Sequence, residues 1–369
     1  MKLKKLLLYA SVLASFGYGL DSKHIESNSD SVIERNAKQP SIEEIRGFSA
    51  PESVYIAKHA IFVSNIGAKP APLEKDNDGF ISRLNTQGKI ENLHFITGLH
   101  APKGMAMVGE ILYVANIDRV LGFHAQSGRQ VFALDVAGAQ FLNDIVALEG
   151  GRLLVSDTQS GAIYELDTRK RRVSVWLRLD SSLAGGNGML LDSKRNALFV
   201  VTYDPSGKRK GSVLRVGLND KRVEMLVPHL GDLDGIAWAR NGDLLVSDWG
   251  ENLQGVVYRL SRLDSKRGDN EDLAGDLARV GLEAGTLKDS GLKAVATNDR
   301  GDLAGDLTRG SNGDLASARL GSGKFAVERV EGLPVLKGGA DMMSVNAPSG
   351  GFLYIPQMLK NSLLKVPLP

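Results

Sequence analysis

One feature limits this chain more than any other: a short pattern that returns six times. Each copy pairs a polar-led apolar segment with a second apolar strand ending in Ser, Ala, Thr or Pro, mostly with Asn or Asp. Pro51-Glu52-Ser53-Val54 leads to Ile61-Phe62-Val63-Ser64-Asn65, and Pro102-Lys103-Gly104-Met105 to Ile111-Leu112-Tyr113-Val114-Ala115-Asn116. Leu142-Asn143-Asp144-Ile145 leads to Leu153-Leu154-Val155-Ser156-Asp157. Gly186-Asn187-Gly188-Met189 leads to Leu198-Phe199-Val200-Val201-Thr202. Leu233-Asp234-Gly235-Ile236 leads to Leu244-Leu245-Val246-Ser247-Asp248, and Ala340-Asp341-Met342-Met343 to Phe352-Leu353-Tyr354-Ile355-Pro356. Most copies are roughly 40 to 50 residues apart, the length of a four-stranded propeller blade. A third apolar strand and a more charged fourth follow, as in Ala162–Leu166 and Arg172–Trp176. The 42 glycines and 12 prolines suit many tight turns between short strands.

The expected fold is therefore all-β, a six-bladed β-propeller over residues 41–369. The last unit runs out after its third strand, while 41–48 reads as a fourth strand with nothing before it. The N-terminal strand is thus expected to complete blade six and leave no long open edge. Between Asp234 and Asp341 the spacing roughly doubles. The excess, about 263–320, repeats Asp-Leu-Ala-Gly-Asp-Leu at 272–277 and 302–307 and lacks β-branched runs. It is read as a low-complexity insertion between the third and fourth strands of blade five, rather than a seventh blade.

Lys2, Lys4 and Lys5, the apolar run from Leu6 to Phe16, and the small residues Gly17 and Gly19 read as a signal peptide over 1–19. The run is too short to span a bilayer comfortably, so no stable span is expected after cleavage. Residues 20–40 are polar and aperiodic, a flexible linker. With no cysteine in 369 residues there is no disulfide and no thiol nucleophile. A periplasmic or secreted bacterial protein is the expectation. A net charge of +2 gives no reason to expect a nucleic-acid partner.

In a propeller the start of each inner strand faces one end of the central channel. Those positions hold Glu52, Lys103, Asn143 with Asp144, Asn187, Asp234 and Asp341. Buried carboxylates are costly unless paired or metal-bound. Hard cations such as Ca²⁺ take carboxylate and amide oxygens, and the absence of Cys and of His at these positions argues against zinc.

Pro51-Glu52-Ser53, Leu142-Asn143-Asp144-Ile145-Val146-Ala147, Gly186-Asn187-Gly188-Met189 and Leu233-Asp234-Gly235-Ile236, taken in order, resemble the gluconolactonase/regucalcin-like propeller family. Strictosidine-synthase-like and paraoxonase propellers are its relatives. The resemblance covers residues 50–248, and more weakly 341 onward. It implies a Ca²⁺-dependent hydrolase of a lactone or ester, acting on a small molecule at the top of the channel. Glu52, Asn143, Asn187 and Asp234 would ligate the metal, with Asn143 alternatively a substrate contact, and Asp234 would be the general base.

Two departures stand beside it. The family's substrate-binding Arg two residues before Asn143 is replaced by Phe141, and Lys103 enters the ring. Lys103 is either a substrate contact or an ammonium that pairs with Glu52 or Asp144 in place of the cation. His100 and His229 lie shortly before inner strands and read as loop residues. Trp249, just past the second strand of blade five, either contacts the ligand or packs. Asn65, Asn116, Asp157 and Asp248 read as turn caps, and Trp238 as core. No phosphate loop, dinucleotide fingerprint or nucleophile elbow is present. The competing expectation is a non-catalytic exported propeller that binds a ligand or an envelope protein partner.

Overall fold

The computed structural model describes residues 41–263, 320–322, 325–346 and 350–369. The signal peptide and linker expected over 1–40, and the insertion apart from its edges, lie outside the described residues. Within them the chain forms six sheets. All pair antiparallel, and in four of them the strands follow chain order from the innermost outward.

The inner strands are Pro51–Ile56, Pro102–Val108, Leu142–Leu148, Gly185–Asp192, Leu233–Trp238 and Met343–Val345. Each touches the next, and the sixth touches the first, so the ring closes on itself. Second strands such as Ile61–Asn65 and Leu244–Asp248 are buried at every position, because a blade lies against each of their faces. Fourth strands such as Arg172–Arg178 are mostly open to solvent.

Every junction between neighbouring blades has its own apolar core. Tyr113, Phe132, Ile145 and Tyr164 fill the space between the second and third blades. Trp238 and Phe199 meet edge-on at 5.5 Å between blades four and five, where the sequence placed Trp238 in the core. Between blades six and one, Tyr354 and Leu363 pack on Val54, Ile61 and Val63.

The outer strand of blade six is Glu43–Arg46, which pairs with Ser362–Pro367 in the register Glu43 to Lys365. The Lys365 ammonium also donates to Glu43 Oε2 across that pair. In blade five, Val256–Arg262 pairs with Phe325–Arg329, which pairs in turn with Leu320–Ser322 as a fifth strand. The segment outside the described residues lies between Arg262 and Leu320, in sequence after the third strand of this blade. Among the described residues no helix is long and apolar enough to cross a membrane.

Candidate functional site

The inner strands share a defect at one level. The pairing of inner to second strand slips between Pro51 and Ser53, Pro102 and Met105, Leu142 and Ile145, Gly186 and Met189, and Leu233 and Ile236. These five bulges fall on Glu52, Lys103, Asn143-Asp144, Asn187 and Asp234. A bulge releases residues from the ladder and re-aims their side chains. All six of these residues are buried, and Asp341, just before the short inner strand of blade six, is half-buried.

The bulges are held by the second strands. Ser64 Oγ accepts from Ser53 N at 2.9 Å, Ser156 Oγ from Asp144 N at 2.9 Å and Ser247 Oγ from Gly235 N at 2.7 Å. Ser156 donates onward to Asn187 O in blade four, and Ser247 to Ala340 O in blade six. The strand-end Asx residues hold the approach to each bulge, the capping role expected of them. Asn65 Oδ1 accepts from Ser49 N, Asn116 Oδ1 from His100 N, Asp157 from Gln140 N and Phe141 N, and Asp248 Oδ1 from Asp232 N.

Glycine follows the channel residue where the next blade comes closest. A Cβ on Gly188 would lie 2.3 Å from Asp234 O, and one on Gly235 would lie 2.5 Å from Met342 N. The Lys-Gly, Asn-Gly and Asp-Gly pairs are thus packing signals as well as chemical ones.

The side chains meet electrostatically at the axis. Burial, followed by the Asp234 charge, holds the Glu52 carboxyl well above its ordinary range. Burial and then Asp341 do the same for Asp144. Burial pushes Asp234 up to about 7, against a hydrogen bond from the Trp249 indole. It also pushes Asp341 up to about 7, against a hydrogen bond from Ser53 Oγ of 2.8 Å. Charges on blades one, two, three, five and six thus act on one another.

Three of the four expected ligands keep one oxygen in reserve. Asn187 Nδ2 donates to Leu233 O at 3.0 Å, which turns Oδ1 the other way. Trp249 Nε1 donates to Asp234 Oδ2 at 2.6 Å and leaves Oδ1. Glu52 Oε2, Asn187 Oδ1 and Asp234 Oδ1 are buried without any hydrogen-bond partner. Asn143 is buried at the same level. Asp144, by contrast, is committed to the backbone: its carboxylate accepts from Ile145 N and Met189 N, both at 2.6 Å.

Among the described residues no three His, Cys, Asp or Glu side chains form a metal-binding group. A cation site here would need the Asn187 amide oxygen alongside the Glu52 and Asp234 carboxylates. Three orphaned buried oxygens fit a hard cation, since each otherwise leaves a desolvation cost uncompensated.

Lys103 makes no ion pair among the described residues. Its ammonium donates to Pro72 O at 2.8 Å and Ala101 O at 3.0 Å, and lies 4.9 Å from the centre of the Phe141 ring. Burial lowers its pKa to about 8, against Glu52 and Asp234. Neither Glu52 nor Asp144 is its partner, so the pairing in place of a cation that the sequence left open is not formed.

Trp249 both packs and bonds, resting against the apolar cap that includes Ala50, Ile66 and Ala101. His229 is exposed, and His100 is half-buried. A shallow cleft bordered by Arg215, Asp220, Arg222 and Val223 lies on the outer strands of blade four, away from the channel.

No family model matches the sequence, and no curated protein matches it. Solved structures do. A protein described as a candidate gluconolactonase aligns over 90% of this chain and 95% of its own, at 14% identity and a TM-score of 0.50. Hydrazine synthase of Kuenenia stuttgartiensis aligns over 91% of this chain and 99% of its own, at 13% identity and a TM-score of 0.51. The extracellular domain of a one-component system from B. thetaiotaomicron aligns over 85% of this chain, which spans 32% of that one, at 11% identity and a TM-score of 0.46. At such identities the likeness is one of fold.

Proposed function

We propose that this chain is an exported, gluconolactonase-like hydrolase of a lactone or ester that depends on Ca²⁺ or a similar hard cation. The observation that carries the reading is the set of three partnerless buried oxygens, Glu52 Oε2, Asn187 Oδ1 and Asp234 Oδ1. They stand at three of the four positions where the family resemblance calls for ligands, with Asn143 the fourth. When bound, the cation would polarise the substrate carbonyl.

This chain's own contribution centres on Asp234. Without a cation, burial raises the Asp234 carboxyl to about 7, which suits it to take a proton from water; a cation on the same carboxylate would draw it back down. Oδ2 is engaged by the indole, so ligation and proton transfer compete for Oδ1. Trp249 packs on the apolar cap and holds Oδ2, and Oδ1 is itself buried from bulk water.

Asp234→Asn tests the reading sharply. The indole N–H selects the amide oxygen as its acceptor and turns the NH₂ toward the vacated Oδ1 position. Loss of lactone and aryl-ester turnover by at least about a hundredfold is expected. Unaltered rates would remove Asp234 from the mechanism.

The second reading, a non-catalytic propeller that binds a small ligand or an envelope protein, draws on Lys103. A buried ammonium near Glu52 and Asp234 offsets some of the ring's charge without any metal. Whether added cation changes stability separates the two readings.

A further inference from the structure

Lys103 is 1% exposed, and among the described residues it is the one channel residue with a positive charge. An ammonium carries three protons. Two go to neutral backbone carbonyls, and among the described residues no carboxylate lies within ion-pairing distance. Its hydrogen bonds go to neutral carbonyls alone, while Glu52 and Asp234 act on it from beyond ion-pairing distance, so a charged acceptor in direct contact would be favoured there.

One of its two acceptors is a loop carbonyl. Pro72 belongs to the loop between the second and third strands of blade one, Ile61–Asn65 and Gly79–Leu84. Asp78 Oδ2 closes the loop at its base by accepting from Ala68 N at 2.8 Å, and the Lys75 ammonium ties it to Asp118 in the second blade. The tip lies over Lys103 and exposes Leu73. The other acceptor, Ala101 O, belongs to the well-packed approach to the second blade and is fixed.

We infer that the substrate carries a carboxylate remote from its scissile bond, and that Lys103 binds it by exchanging the Pro72 carbonyl for that charged acceptor. This rests on the hydrolase reading above. A cation held by Glu52, Asn187 and Asp234 would polarise the reacting carbonyl, and Lys103, at the start of the inner strand of the second blade, would take the remote carboxylate. The ring then favours an anion over a neutral analogue, because only the anion satisfies the ammonium.

The test compares two aryl esters on the full chain with Ca²⁺ present: mono-4-nitrophenyl adipate, and the same ester with its free carboxylate methylated. The wild type is expected to prefer the acid by about tenfold or more in kcat/KM. Lys103→Met, an apolar side chain of similar length, is expected to lower that ratio by about tenfold. Equal turnover of both esters by the wild type, or an unchanged ratio in Lys103→Met, would overturn the inference and leave the hydrolase reading standing. If neither ester is hydrolysed, the hydrolase reading fails, and binding of the adipate dianion decides the inference. A rise in melting temperature with adipate in the wild type upholds it. No rise overturns it, and the wild-type arms hold even if the variant fails to fold.

Discussion

The indole N–H of Trp249 donates a 2.6 Å hydrogen bond to Asp234 Oδ2, across the 15 residues that separate an inner strand from the loop after its neighbour. The contact fixes which carboxylate oxygen is committed and which is left for chemistry. It also lowers the Asp234 pKa against the upward push of burial. Trp249→Phe keeps most of the packing and loses the donor. The Asp234 titration should then move up, seen as a shift to higher pH of the limb of the pH–rate profile along which activity rises as this base loses its proton. A profile that stays in place would mean that the indole does not act on Asp234.

Stability should fall with pH in the absence of metal. Asp234 and Asp341 titrate at 3.8 when free and at about 7 in the fold. Between those values the folded chain holds more protons than the unfolded one. The stability present below 3.8 is therefore lost as pH rises through about 7. In a chelator the melting temperature is expected to be lower at about pH 7.5 than at about pH 4.5, and saturating Ca²⁺ should flatten the fall. A melting temperature that rises across this window without metal would contradict the assignment.

Close approach between blades should make two glycines unequal. A Cβ on Gly188 would strike the Asp234 carbonyl at 2.3 Å, whereas Gly109 has nothing within 4 Å of its missing Cβ. Gly188→Ala must push neighbouring inner strands apart and is expected to cost about 3 kcal/mol or more. Gly109→Ala meets only the strain of its left-handed backbone, roughly 1 kcal/mol. Chemical denaturation of both variants checks the order, and equal costs would mean that the inner strands are not packed as described.

Ser156 accepts from Asp144 N and donates to Asn187 O, joining two bulges in neighbouring blades. Removing its hydroxyl strands a buried donor and a buried acceptor, at about 1–3 kcal/mol. Ser156→Ala should lower the unfolding free energy by that amount, and should weaken cation binding because Asn187 loses its support. A neutral substitution would show that the bulges are held by the strands alone.

The blades were legible because an apolar strand buried on both faces reads as an unbroken run, and Leu153-Leu154-Val155 or Leu244-Leu245-Val246 is such a run. The strand-end Asx residues were legible for a similar reason, since turn chemistry is local. The three orphaned oxygens fall on residues the motifs singled out. What the sequence could not carry are contacts between distant segments. Lys103 meets Pro72 31 residues away, in a loop without periodicity. The bulges were also hidden, because a register slip leaves alternation on either side intact and only the pairing shows it. The Ser residues behind them were visible as strand ends, but nothing in one strand tells that its hydroxyl reaches the next blade.

The central claim is that Glu52, Asn187 and Asp234 hold a hard cation, and its most direct test is the melting temperature of the full chain in Ca²⁺ and in EDTA. A ligand present at about a hundred times its Kd stabilises by about 2.7 kcal/mol, a shift on the order of 5 °C for a domain of this size. The account predicts a rise of that order in Ca²⁺, its reversal by EDTA, and its loss in Asp234→Asn. An identical melting temperature in both would contradict it.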